Sequence, residues 1–268
     1  MIRLLFLILL QTCLWSIELS VDVGGGMQHS PAKGKLIYKK EFWKDSFGAI
    51  DHAAKANFYG WIDISSNNAY LPKMRFEIFQ AQTEGKSFIH ISANDTLNGL
   101  IEAIESKLPV TLNDTEYLSR LQMSTYETIL YYEYFEGTSW PTLGLGLDLK
   151  TFDFNYAVTI IDGLDFNDHG GDTVPMLFFK SSYERSDPKK MQKLALEASA
   201  KIYVFGDSDI YDYSLKAEMT VRYNENTFLG IEAGYKVSYF NIKGDDIAKV
   251  GGTMDTSGAF VGFVGHFK

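Results

Sequence analysis

The sequence predicts an all-β chain, an antiparallel transmembrane β-barrel of about ten strands, with a short amphipathic helix in one extracellular connection. Three observations lead there. Segment after segment alternates apolar and polar residues, the pattern of a strand with one greasy and one polar face. Many of these segments approach the roughly 9–11 residues that a tilted strand needs to cross a bilayer, where soluble strands run to about five or six. The connections also sort by length, short at one end and long at the other, as in bacterial outer-membrane barrels.

The first segment is not a strand. Arg3 precedes an apolar run from Leu4 to Leu10, and small residues follow at Cys13 and Ser16. This is the layout of a secretory signal peptide over residues 1–16, with cleavage expected after Ser16 and the barrel occupying residues 17–268. The run is too short for a transmembrane helix. A lipoprotein signal at Cys13 is the competing reading, but Gln11 and Thr12 suit it poorly. Cys13 is the single cysteine, so a chain cleaved after Ser16 would have neither disulfide nor thiolate chemistry.

The strands then follow in order. Ile17–Val23 sets Glu18, Ser20 and Asp22 on its polar face. Phe58–Ser65, Lys73–Gln82, Met123–Phe135, Val174–Tyr183 and Thr253–Phe267 are strand-like with a looser pattern. Thr142–Lys150 alternates Leu143, Leu145, Leu147 and Leu149 with Gly144, Gly146, Asp148 and Lys150. Lys193–Phe205 alternates Leu194, Leu196, Ala198, Ala200, Ile202 and Val204 against Glu197 and Lys201. Tyr211–Tyr223 sets Tyr213, Leu215, Ala217, Met219 and Val221 against Asp212, Lys216, Glu218 and Arg222. Leu229–Tyr239 is the cleanest, with Leu229, Ile231, Ala233, Tyr235, Val237 and Tyr239 opposed to Gly230, Glu232, Gly234, Lys236 and Ser238.

In a transmembrane barrel the greasy faces meet lipid and the polar faces line the interior. The residues expected against lipid are Leu143, Leu145, Leu147, Leu194, Leu196, Leu215, Val221, Leu229, Ile231, Tyr235, Val237 and Tyr239. Those expected inside are Glu18, Asp22, Arg75, Glu77, Glu127, Asp148, Lys150, Glu197, Lys201, Lys216, Glu218, Arg222, Glu232 and Lys236. Gly24–Gly26 falls in or beside the first strand with no helix after it. It reads as a kink or a small-residue packing site rather than a phosphate cradle.

With the N-terminus in the periplasm, the inward connections Ser66–Pro72, Glu136–Pro141, Ser186–Met191 and Asn224–Asn226 are all short. The outward ones, Gln28–Asn57, Thr83–Ser119, Asn155–Thr173 and Asn241–Gly252, are longer, and only Gly206–Ser208 breaks the rule. Within Thr83–Ser119, Leu97, Leu100, Ile101, Ile104 and Leu108 recur at helical spacing, which predicts a helix over 96–108 capped by Asp95 or Thr96.

Six stretches carry a resemblance: "NAYLPKMRFE" (68–77), "YETILYYEYF" (126–135), "TLGLGLDLKTFDF" (142–154), "VPMLFFKSSYE" (174–184), "GDSDIYDYSLKAEMTVRY" (206–223) and "GIEAGYKVSYFNI" (230–242). The chain resembles a family of small, little-characterised outer-membrane β-barrel proteins of Gram-negative bacteria, and the likeness covers nearly all of it. It implies a barrel, an outer-membrane address and porin-like company, and no catalytic or ligand residue. The ending "FVGFVGHFK" fits the aromatic C-terminal signal that barrel-assembly machinery reads, with Gly262 and Phe267 in the expected roles. Gly265 and the added Lys268 depart from that signal.

Net charge of -9 argues against a nucleic-acid partner. The expected partners are outer-membrane lipid and the assembly machinery, with any extracellular ligand unidentified. No cofactor or metal is expected, since the histidines show no ligand spacing. The interior charges read best as side chains that pair across a filled lumen, because buried charge must be paired. That makes a structural or interaction barrel the leading expectation. A narrow channel for ions or small polar solutes is the alternative. An omptin-like or lipid-acting enzyme is a third, with His29, His90 and His169 in or near outward connections and Asp168 beside His169.

Overall fold

A strand whose backbone groups face lipid cannot leave an edge unpaired, so a lipid-facing sheet must close on itself. The computed structural model describes residues 18–38, 46–68, 70–88, 116–138, 140–160, 164–187, 192–242 and 250–268. The strands are β1 (Leu19–Tyr38), β2 (Ser46–Ser66), β3 (Lys73–Phe88), β4 (Glu116–Tyr134), β5 (Thr142–Ile160) and β6 (Leu164–Asp187). They continue with β7 (Gln192–Ile202), β8 (Asp209–Arg222), β9 (Thr227–Ile242), β10 (Val250–Asp255) and β11 (Gly258–Phe267). From β2 to β10, each pairs antiparallel with the one before it in sequence. β1 also pairs with both β10 and β11 in one continuous register (Lys33↔Asp255, His29↔Ala259). β10 and β11 are therefore two halves of one tenth strand, and the sheet is a closed ten-stranded barrel. No helix occurs among the described residues, and the predicted helix 96–108 lies outside them.

The end where β1 begins and β11 finishes also carries tight turns. Asn68 organises the first, where its Oδ1 accepts from the Tyr70 N–H at 3.0 Å. In the second, Phe135 (φ 66°) and Gly137 (φ 74°) are left-handed, and the Thr138 hydroxyl donates to the Phe135 carbonyl at 2.7 Å.

The strands run much further than their alternation suggests. The expected connections Gln28–Asn57 and Asn155–Thr173 are mostly strand, and so are the ends of Thr83–Ser119. The cause is a switch in hydrophobic phase at one level of the wall. On β5, Leu143, Leu145, Leu147 and Leu149 point outward, but above them the buried residues are Phe152 and Phe154, on the opposite face. On β3, Met74, Phe76 and Ile78 are exposed, whereas Phe79 and Ala81 are buried. β4 shows the same change, with exposed Tyr126 and Leu130 below buried Met123 and Leu121. Below the switch the wall is greasy outside. Above it, the outer face carries Gln80, Gln82, Arg120, Gln122, His169 and Thr173, and the inside is greasy.

The barrel thus has a belt with membrane polarity and, above it, a collar with the polarity of a soluble protein. The collar's core joins Phe79, Leu121, Met123, Phe152, Phe154, Met176, Ile210, Phe240 and Met254. Phe152 and Phe240 meet edge to face at 5.7 Å. The β7–β8 hairpin stops at the switch, its last pair being Ile202↔Tyr211, while β6 continues upward to Leu164. Aromatic side chains ring the turn end of the belt, among them Tyr70, Tyr132, Tyr134, Trp140 and Tyr223, all exposed.

Candidate functional site in the barrel interior

The belt interior is built from one residue in two on each strand, and many of these are charged, beside a small buried cluster of Ile129, Tyr131 and Phe178. Two centres hold it. In the lower one, Arg75 on β3 reaches Glu77 at 2.7 Å, Glu197 on β7 at 3.4 Å and Asp63 on β2 at 3.8 Å. Lys180 on β6 joins Glu133 at 3.0 Å and Glu197 at 3.4 Å. Lys73 bonds Glu133 at 2.6 Å, and the Tyr131 hydroxyl donates to Asp63 at 2.6 Å.

The upper centre is deeper. Lys150 on β5 contacts Asp212 on β8 and lies 3.1 Å from Glu127 on β4. Lys201 on β7 contacts Glu127 and reaches Glu77 at 2.7 Å. Side chains of both Lys150 and Glu127 are only 1% exposed. Lys236 is looser, at 3.8 Å from Asp212, 3.9 Å from Glu127 and 4.0 Å from Glu77. Burying such charges costs several kcal/mol each, and only multiple partners on different strands offset that. The network therefore ties β3, β4, β5, β7 and β8 across the lumen.

Glu232 on β9 has a different environment. It accepts hydrogen bonds from the Tyr59 hydroxyl at 2.8 Å and from Trp61 Nε1 at 3.1 Å, with Lys216 at 3.5 Å. Arg75 and Lys216 both lie over the Trp61 ring, at 4.7 and 4.5 Å, a cation–π sandwich. The triple glycine explains how the indole fits. A Cβ at Gly24 would come within 2.4 Å of the Trp61 indole, so the missing side chain leaves the space against which Trp61 packs. Gly24→Val is expected to displace Trp61 from Glu232 and to lower stability by about 1–3 kcal/mol, the cost of overpacking. A denaturant titration of the folded barrel checks this.

At the turn end, His266 on β11 bridges Asp22 on β1 at 2.9 Å and Glu218 on β8 at 2.6 Å, across the seam between first and last strands. Among the residues expected inside, Glu18 and Arg222 are exposed at the rim, where Arg222 donates to the Asn224 carbonyl at 3.1 Å. Asp148 is wholly buried, in register with Ile129 and Met176, and neither carboxylate oxygen has a hydrogen-bond partner. Asp212, on the polar face read from sequence, joins the network, and so do Lys73, Asp63, Glu133, Lys180, Trp61 and His266, which the sequence reading does not name. Stepping by two from Glu127 reaches Glu133, and from Arg75 reaches Lys73, so their positions were available in the alternation.

Between the belt charges there is little room. A cavity of about 60 Å³ lies between the charges, walled by Trp61, Glu127, Asp212, Glu232 and Lys236, with Phe79 and Phe260 among its apolar contacts. Small-molecule pockets are typically ~300–1,000 Å³.

The expected outer-rim histidines are dispersed. His29 and His169 are strand residues on the outer face, and His90 lies outside the described residues. His169 pairs with Asp153 at 3.3 Å on the exposed collar. The stretch 167–172 belongs to β6, and no cluster of three or more His, Cys, Asp or Glu suited to a metal occurs among the described residues.

No protein-family model and no curated protein matches the chain, so the family likeness read from sequence has no support of that kind. Several solved structures share the barrel architecture. The outer-membrane protease OmpT of Escherichia coli is 10% identical with a TM-score of 0.47, over 93% of this chain and 96% of that one. The transport unit of the autotransporter AIDA-I, also from Escherichia coli, is 12% identical with a TM-score of 0.41, over 93% and 89%. The monoaromatic hydrocarbon channel TodX is 9% identical with a TM-score of 0.34, over 93% and 90%. These are likenesses of fold, and no activity transfers on likenesses of this size.

Proposed function

We propose that the chain is an integral outer-membrane β-barrel with a closed lumen, a structural or interaction protein rather than a conduit. The observation that carries this is the stacking of two unlike layers inside one wall. Paired charge fills the belt, and an apolar core sits directly above it in the collar. An ion crossing would have to break the ion pairs and then pass a greasy layer that offers it no ligand, and each step is costly. The greasy belt supports the membrane address, and the tight turns and aromatic ring support a periplasmic turn end. The collar then stands outside the cell, and its polar outer face is where partners are met.

Solute efflux tests the closed lumen. Vesicles loaded with small neutral and charged solutes and carrying the folded barrel should release them no faster than empty vesicles do. Release that scales with the amount of folded barrel and is graded by solute size would instead establish a pore.

A further inference from the structure

We propose that the outer surface of the belt carries a site for one glycerophospholipid of the inner leaflet, its acyl chain laid over Ser181, Ala198 and Ala200 and its phosphate held by Arg185. This rests on the membrane reading above. Most outward positions of the belt are large, but here three small side chains adjoin. Ser181 pairs with Ala198, and Phe179 with Ala200. On the far side Ala198 faces Leu215 and Ala200 faces Tyr213. The small residues form the floor of a trough of about 770 Å³, walled by Leu143, Leu145 and Phe179 on one side and by Tyr213, Leu215 and Tyr235 on the other. Its lining is almost wholly apolar and partly aromatic, so the walls are stiffer than the chains that would fill it.

Charge indicates which lipid. Two and four residues below Ser181, on the same outward face of β6, come Tyr183 and Arg185, both exposed. Arg185 makes no ion pair among the described residues, whereas its neighbour Glu184 is engaged by Lys193 at 2.7 Å. Arg185 lies below the trough rather than in its lining, four residues past Ser181 toward the turn end, and a guanidinium at that interface suits a phosphate. The dimensions agree. From Arg185 to Phe179 is roughly 20 Å of strand at about 3.3 Å per residue, which when tilted covers the ~15 Å hydrocarbon depth of one leaflet. An annular lipid would need neither the depression nor the unpaired cation four residues below it.

The test uses the full barrel, reconstituted in vesicles of phosphatidylethanolamine and phosphatidylglycerol with added diacylglycerol, then extracted into mild detergent and weighed by native mass spectrometry. The wild type should retain one phospholipid in preference to diacylglycerol. Ala198→Phe and Ala200→Phe fill the trough from the lipid side without touching the interior, and each should cut retention at least about tenfold. Arg185→Gln should abolish the preference for phospholipid over diacylglycerol while the trough remains. A folded, vesicle-inserted wild type that retains no lipid, or retention that survives Ala198→Phe, overturns the site and leaves the membrane reading intact. A barrel that folds but does not enter vesicles overturns the membrane reading and the site with it.

Discussion

Replacing Lys150 with methionine should destabilise the barrel by about 3–5 kcal/mol, the cost of stranding a buried charge. Lys150 is the nearest cation to Asp212, whose remaining contact is Lys236 at 3.8 Å. Glu127 loses less, because Lys201 still contacts it. Asp212→Asn in the Lys150→Met background should therefore recover most of the loss, and Glu127→Gln in the same background should recover less. Denaturant titration in micelles of the wild type, the Lys150→Met, Asp212→Asn and Glu127→Gln single variants and the two double variants, read by loss of the compact heat-resistant form, gives both coupling energies. Simple additivity of Lys150→Met and Asp212→Asn would mean that the pair is not the joint described above.

The second large effect separates belt from collar. Leu147 lies midway along the run of outward leucines on β5, below the phase switch. Leu147→Arg puts a cation near the bilayer midplane and should cost about 2–4 kcal/mol. Asp153→Arg, six residues on and also facing outward, lies above the switch in water. It should cost about 0.5 kcal/mol or less, the usual range for a surface change. Equal penalties at the two positions, measured by unfolding from vesicles, would erase the proposed membrane boundary.

That boundary also explains what the sequence made legible and what it hid. Period-two alternation is local, so the barrel, the number of strands that form it and the outward face of Leu229–Tyr239 can be read directly. The upper halves of the strands cannot. In "LGLGLDLKTFDF" the apolar residues change parity between Leu149 and Phe152, which reads as the end of a strand when it is only a change of surroundings. Gly170 and Gly171 reinforced the error, since a glycine pair flanked by His169 and Asp172 looks like a loop. Here Gly171 instead accommodates the neighbouring strand, because a Cβ there would press on the Phe152 carbonyl. The long outward connections were thus partly strand, although the sorting of turns by end was sound at the turn end.

The interior was legible in kind but not in pairing. Alternation identifies which charges share a face, yet says nothing about which strands stand opposite each other across a closed ring. The Lys150–Asp212 contact joins residues 62 apart, and Arg75 to Glu197 joins residues 122 apart. Trp61 was invisible as a partner of Glu232 because indoles are usually read as membrane anchors. Its place inside depends on a glycine in a different strand. The apolar collar core was missed altogether, because an interior expected to be polar gave no reason to look for phenylalanine on the inward face.

The most direct test of a lumen closed by paired charge and capped by an apolar core is planar-bilayer recording on the folded wild-type barrel, with insertion verified independently. Silence under applied voltage, at salt concentrations high enough to reveal a narrow pore, is the expected result. Discrete and reproducible conductance steps from the same folded protein would contradict it.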